Sequence, residues 1–136
     1  MISKIWRRFV KADTPSQIRQ PVPQVSAADV DRMVRRDFPE YQFDTIFNVL
    51  DTYGAELSEP GRARVQLAAL KLANGNIDTL RRHIDTAARD YKDVLSWAEY
   101  PEYSKRSTVD AHKLSAWERE QIIQSDWNQY EAWRRR

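Results

Sequence analysis

Few side chains in this sequence are of the types that perform acid–base or ligand chemistry. Glu56, Glu59, Glu99 and Glu102 are carboxylates close enough in pairs to be weighed as acid and base, and His83 and His112 are the two imidazoles. A general acid or base needs surroundings that move its pKa, and no pattern around these carboxylates supplies one. Neither histidine has a second ligand at the i+4 spacing that builds a metal site on a helix. Gly54, Gly61 and Gly75 are too dispersed to cradle a phosphate. With no cysteine in 136 residues, disulfides, thiolate metal ligands and thiol nucleophiles are all excluded. No cofactor and no metal is expected, and a carboxylate-dependent enzyme is the minor alternative.

Recognition chemistry is better represented. The stretch WAEYPEYSKR, residues 97–106, gathers three aromatics, two carboxylates and two cations around one proline. Tryptophan, tyrosine and arginine dominate binding hot spots because they combine large contact area with polar handles. Trp97, Tyr100, Tyr103 and Arg106 are therefore the candidate partner-binding residues. The competing reading is a helix end, with Tyr100 and Tyr103 folded back over the core and Glu99, Glu102, Lys105 and Arg106 solvated.

Charge points to a second class of partner. The net charge is +2 and the isoelectric point about 9.0, but the distribution is uneven. Residues 1–28 carry +4, residues 29–60 carry −5, residues 61–93 carry +3, and the remainder balance. Basic residues lie beside aromatics at both ends: Arg7, Arg8 and Lys11 with Trp6, and Arg134, Arg135 and Arg136 with Trp127, Tyr130 and Trp133. Backbone charge with base stacking is how single-strand binders work, so RNA or single-stranded DNA binding is the main alternative. Against it, the aromatics fall at helical spacing suited to burial, and the acidic middle opposes a broad phosphate-binding face.

The elements that must position these residues are helices. Ile2, Ile5, Trp6 and Phe9 recur at helical spacing among Lys4, Arg7, Arg8 and Lys11, so residues 1–13 read as a short basic amphipathic helix. It suits docking onto the body or onto a second copy, which would make a homodimer, better than weak adsorption to an anionic membrane surface. Pro15, Pro21 and Pro23 make residues 14–25 a linker. Residues 26–136 form one helical domain.

Within it, Ser26 with Asp29 opens a helix that closes at Phe38-Pro39; Phe43, Ile46, Phe47, Leu50 and Tyr53 mark a second that stops at Gly54. Ser58-Glu59-Pro60 opens a third, apolar around much of its circumference and therefore central, which ends at Asn74-Gly75. Ile77, Leu80, Ile84, Ala87, Tyr91, Val94 and Ala98 continue in unbroken 3-and-4 spacing as one long helix. Asp78, Arg81, Arg82, Asp85, Arg89 and Asp93 make its other side a solvated face. The chain leaves helix at Pro101, crosses a polar stretch to about Lys113, and re-enters at Ser115 with Glu118 as a capping box. No alternating strand pattern occurs. The expected fold is all-α: a compact bundle of about five helices, or a short stack of helical hairpins, after the N-terminal helix and its linker.

The run RVQLAALKLANGNIDTLRRHIDTAARDYKDVLSWAEYPEYSK, residues 64–105, resembles a segment of small uncharacterised bacterial proteins, in which a helix ending in a Gly-containing turn leads into a long charged helix closing on a Tyr-Pro element. The resemblance covers about a third of the chain. It implies a bacterial, cytoplasmic, helical protein and brings no activity or site residues. A cytoplasmic setting also fits the absence of cysteine and of any continuous apolar run of about 7–15 residues near the N-terminus. No window approaches the roughly 18 apolar residues that integral membrane insertion needs. The leading functional expectation is a non-enzymatic helical module that binds another protein, as an adaptor or an immunity-type inhibitor; inhibitors of basic nucleases are expected to be acidic, which the basic isoelectric point counts against and the 29–60 segment favours.

Overall fold

A computed structural model of the chain describes residues 20–110 and 113–136. The expected helix over 1–13, residues 14–19 of the linker over 14–25, and His112 lie outside the described residues, as do the side chains of residues 59 and 108–110. Among the described residues the fold is all-α. Six α-helices follow in order: α1 (Ala27–Asp37), α2 (Phe43–Asp51) after a single 3-10 turn at Glu40–Gln42, α3 (Glu59–Ala73), α4 (Ile77–Glu99), α5 (Pro101–Asp110) and α6 (Ala116–Arg135).

Local chemistry sets most of these boundaries. Ser26 and Asp29 form the capping box that opens α1, the Ser26 N–H donating to Asp29 Oδ2 at 2.9 Å, and Ser115 with Glu118 does the same for α6. Between α3 and α4, Asn74 (φ 50°) and Gly75 (φ 80°) turn the chain through two successive left-handed residues, and Asn76 then caps α4 by accepting from the Thr79 N–H. Gly75 is required there: its φ is positive, and an added Cβ would sit 3.2 Å from the Asp37 carbonyl oxygen at the end of α1.

α3 is the central helix. Val65, Leu67, Ala68, Ala69, Leu70 and Ala73 are all buried, enclosed mainly by α1 and α4, and Met33, Val34, Ile46, Leu50 and Leu80 complete the most deeply buried apolar layer. Gln66, the polar residue in this run, is also buried, and its amide nitrogen donates to the Leu50 carbonyl at 2.8 Å, a second bond on an acceptor that already takes the Tyr53 N–H at 3.1 Å.

Two expectations are corrected. The apolar spacing from Ile77 to Ala98 does not mark one straight helix, because Asp90 is extended (φ −156°, ψ 92°). The His83 and Trp97 rings meet edge to face at 6.4 Å, whereas fourteen residues of straight helix would separate them by about 21 Å. The chain therefore turns back sharply at Asp90. The Asp90 carboxylate accepts from the Lys92 N–H at 3.1 Å, so Asp90 is in effect the N-cap of a second half-helix. The apolar pattern runs through the bend because both halves bury a face; Tyr91, first in the second half, is the stripe member left exposed.

The polar stretch after Pro101 is helical, forming α5. Pro101 stops α4 and also starts the next helix, since its missing N–H is one that the first turn leaves unpaired anyway. Tyr100 (φ −135°, ψ 60°) serves both helices: its N–H donates to Ser96 O at 3.1 Å and its carbonyl accepts from Ser104 N at 2.8 Å.

Candidate functional site

The stretch 97–106 straddles this junction, and the structure distributes its side chains among different neighbours. Tyr100 is buried, and its hydroxyl donates to the Pro21 carbonyl at 2.6 Å, tying the extended segment before α1 to the α4–α5 junction. Glu99 is 2% exposed rather than solvated, and it takes a bidentate fork from Arg64 on α3, Nε to Oε2 at 2.8 Å and Nη2 to Oε1 at 2.7 Å. Trp97 is 43% exposed and faces His83. Tyr103 is half-buried, and Arg106, also half-buried, lies within electrostatic reach of Glu118 on α6. Tyr100 thus belongs to the packing, and Trp97 and Arg106 point to different elements.

Asp126 on α6, 3% exposed, completes the junction. Its Oδ1 accepts from Glu102 N at 3.3 Å and its Oδ2 from Tyr103 N at 2.8 Å, so it caps the first turn of α5 from another helix. Burial pushes its pKa above the ordinary aspartate value, and the two backbone N–H groups only partly offset that. Burial also lowers the pKa of nearby Lys71, with the Asp126 charge acting the other way. The phenols of Tyr100 and Tyr130 are pushed well up, first by burial and then by the charge of Glu99, so both stay protonated in any ordinary buffer. The Tyr130 hydroxyl is enclosed without a hydrogen-bond partner. These groups pack three helices together, and the two phenols keep their protons.

Two clefts flank the Arg64 side chain. One, of about 480 Å³, lies between the α2–α3 connection and the bend of α4, with Tyr53, Leu57, Arg64, Tyr91 and Leu95 in its wall. The other, of about 300 Å³, shares Arg64 and Leu95 and is closed by Pro21 and Val22 of the extended segment. Glu56 lines the first and Glu99 the second, so among the described side chains neither brings two of the candidate carboxylates together. His83 is half-buried against Trp97 with its pKa lowered by burial and by Arg82, and among the described residues no group of His, Asp and Glu is arranged to hold a metal.

The second half of α4 is bordered by apolar surface. Of the large apolar side chains exposed among the described residues, four of six lie on it or beside it: Val22, Leu57, Tyr91 and Trp97, the others being Tyr41 and Trp117. Leu57 and Tyr91 escaped the sequence reading, Tyr91 because it fits the core stripe. Asp90 three residues before Asp93, ahead of Val94 and Ala98, is the local signal of a helix start that would have exposed it.

At the termini, Arg134 is engaged rather than free. Its Nη2 reaches both oxygens of Glu131 at 3.1 and 3.2 Å, and its Nη1 donates to the Gln24 carbonyl at 3.1 Å. Arg135 and Arg136 are exposed, Arg135 lying 3.4 Å from Glu131; Arg7, Arg8 and Lys11 lie outside the described residues. No helix among the described residues is long and apolar enough to cross a membrane. No family model, curated protein or solved structure matches the chain.

Proposed function

We propose that the protein acts by binding another protein through the surface around the second half of α4. The carrying observation is that exposed Val22, Leu57 and Tyr91 border the two adjoining clefts along one flank of a short helix that Val94 and Ala98 anchor in the core, with exposed Trp97 on its other flank. Isolated apolar residues on a surface need no explanation, but three beside adjoining clefts, an aromatic among them, suit a partner-binding surface. Glu99 and Arg64 fix the helix beneath it, so the surface is held rigidly before any partner arrives, which lowers the entropic cost of binding. The engagement of Arg134 removes one cation from the alternative reading as a nucleic-acid binder. A cysteine-free chain supports a cytoplasmic setting for the interaction.

Capture of partners from nuclease-treated native lysate tests this reading. Tyr91→Ser/Trp97→Ser is expected to keep its far-UV circular dichroism and to lose the proteins that the natural chain retains. A Tyr103→Ala/Arg106→Ala variant is expected to retain them. Recovery of the same partners by the Tyr91/Trp97 variant, or their loss only in the Tyr103/Arg106 variant, would place the surface elsewhere.

A further inference from the structure

A third cleft, of about 610 Å³, lies away from the α4 surface, between the start of α1, the end of α2 and the α2–α3 connection. Its walls include the small side chains Ala27, Ala28 and Ala55 and the apolar ring of Phe47, with Asp31, Asp51 and Arg62 as its charged members, Asp31 also accepting from Arg35 at 2.9 Å. The alanines leave the volume open, and all three are exposed. We infer that this cleft is the seat of the chain's own residues 2–11, with Trp6 and Phe9 entering between the alanines and Lys4, Arg7, Arg8 and Lys11 facing Asp31 and Asp51.

Three observations on this chain select that occupant. Residues 2–11 carry four cations and no carboxylate, while residues 29–60, which supply α1, α2 and the connection around the cleft, carry −5. Ile2, Ile5, Trp6 and Phe9 recur on one side at helical spacing, an apolar stripe that needs cover. The tether also reaches. Residues 20–26 are fixed by the Tyr100 hydroxyl on Pro21 and by Arg134 on Gln24, and nine residue steps from Gln20 back to Lys11 span up to about 30 Å, enough to return to the first turn of α1. The cleft beside Tyr91 is a poorer fit, because its one carboxylate, Glu56, is matched by Arg64, whereas Asp31 and Asp51 outnumber Arg62 here. Being tethered, the segment is held at a millimolar-scale effective concentration, so modest affinity suffices. This inference is independent of the partner surface on α4.

The absence of cysteine from the chain makes a crosslinking test direct. In the full chain, Ala12→Cys is combined either with Ala28→Cys at the cleft edge or with Ser125→Cys, exposed on α6, and treated with a short bismaleimide. Intramolecular crosslinking to position 28 is expected to run about tenfold faster than to position 125. Adding Trp6→Ser/Phe9→Ser is expected to abolish that preference, and adding Asp51→Lys to weaken it. Equal rates at the two positions would overturn the inference, as would a preference that survives loss of Trp6 and Phe9. Crosslinks formed only between two chains would give the cleft to a second copy instead and overturn it equally.

Discussion

The regions around α3 and around α6 are held by different forces. α3 is enclosed by apolar side chains, with Leu67, Ala68, Ala69 and Leu70 at 1% exposure or less. α6 also buries Ile123 and Tyr130, but polar groups fix its ends and its neighbours. Asp126 caps α5; Arg32 and Arg36 of α1 donate to the carbonyls of Arg134 and Trp133 at 2.9 and 2.7 Å; Arg134 reaches back to Gln24. The Arg36 guanidinium also lies over the Trp133 ring, 5.2 Å from its centre. Helix ends leave unpaired N–H and C=O groups, and here distant helices pair them. Non-directional burial therefore sets the α3 region and directional pairing the α6 region, and the two should answer differently to mutation and to pH.

The largest effect is expected in the apolar region. Leu67→Ala empties a fully buried site on the central helix and should cost about 3–4 kcal/mol, since the close-packed surroundings relax only in part. Denaturant unfolding should give nearly the same loss at acid and neutral pH, no titrating group being involved. A loss below about 1 kcal/mol would mean that α3 is not the centre of the core.

Next comes the ion pair that joins the two regions. Glu99→Gln leaves the Arg64 guanidinium without its countercharge and should cost about 3 kcal/mol, the low end for a broken buried pair because the Arg64 side chain is 28% exposed. The double variant Arg64→Met/Glu99→Gln should recover much of that loss, because the stranded charge is gone. A double variant as unstable as the single one would show that the Glu99 carboxylate contributes through something other than Arg64.

How far the sequence made these regions legible follows the same division. Caps whose partners lie three residues apart, Ser26 with Asp29 and Ser115 with Glu118, were readable, as were the turn at Asn74-Gly75 and the all-round apolar character of α3. α5 was not, because its cap is Asp126, twenty-three residues beyond Tyr103, and no local spacing betrays a cap supplied from another helix. Its own residues are polar, and Pro101 reads equally as a stop and as a start. Of the candidate site, Trp97 is exposed, as its place one step off the apolar stripe allows. Tyr100 was not separable from it, because local spacing does not say which side chain meets a strap 79 residues upstream.

Asp126 should show the pH dependence that the α3 region lacks. Its pKa in the folded chain is raised above the ordinary aspartate value, so its contribution to stability is fully present below that ordinary value and declines as pH rises through the folded pKa. Asp126→Asn keeps one uncharged acceptor, which can serve the closer Tyr103 N–H, and gives up the longer bond to the Glu102 N–H. Its stability relative to the natural chain should therefore improve between about pH 4 and pH 7, whereas Asp126→Ala, which removes the cap, should lose about 1–2 kcal/mol. Urea unfolding of the three proteins across that range measures both effects. A difference between the Asn variant and the natural chain that stays constant with pH would show that burial of Asp126 carries no electrostatic cost.

The smallest expected effect is the sharpest on geometry. His83 and Trp97 meet only because α4 turns back at Asp90. Burial lowers the His83 pKa, with Arg82 contributing in the same direction. Trp97→Ala should hardly change stability, since Trp97 is largely a surface residue and such substitutions usually stay within about 0.5 kcal/mol. It should nevertheless let water reach the imidazole, so the His83 pKa rises toward that of a free histidine while the Arg82 effect persists. Proton NMR can follow this directly, as His112 is the one other histidine in the chain. In a straight α4 the two rings would be about 21 Å apart and the titration of His83 would not notice the substitution. An unchanged His83 titration would therefore remove the bend, and with it the reason Tyr91 stands on the surface rather than in the core.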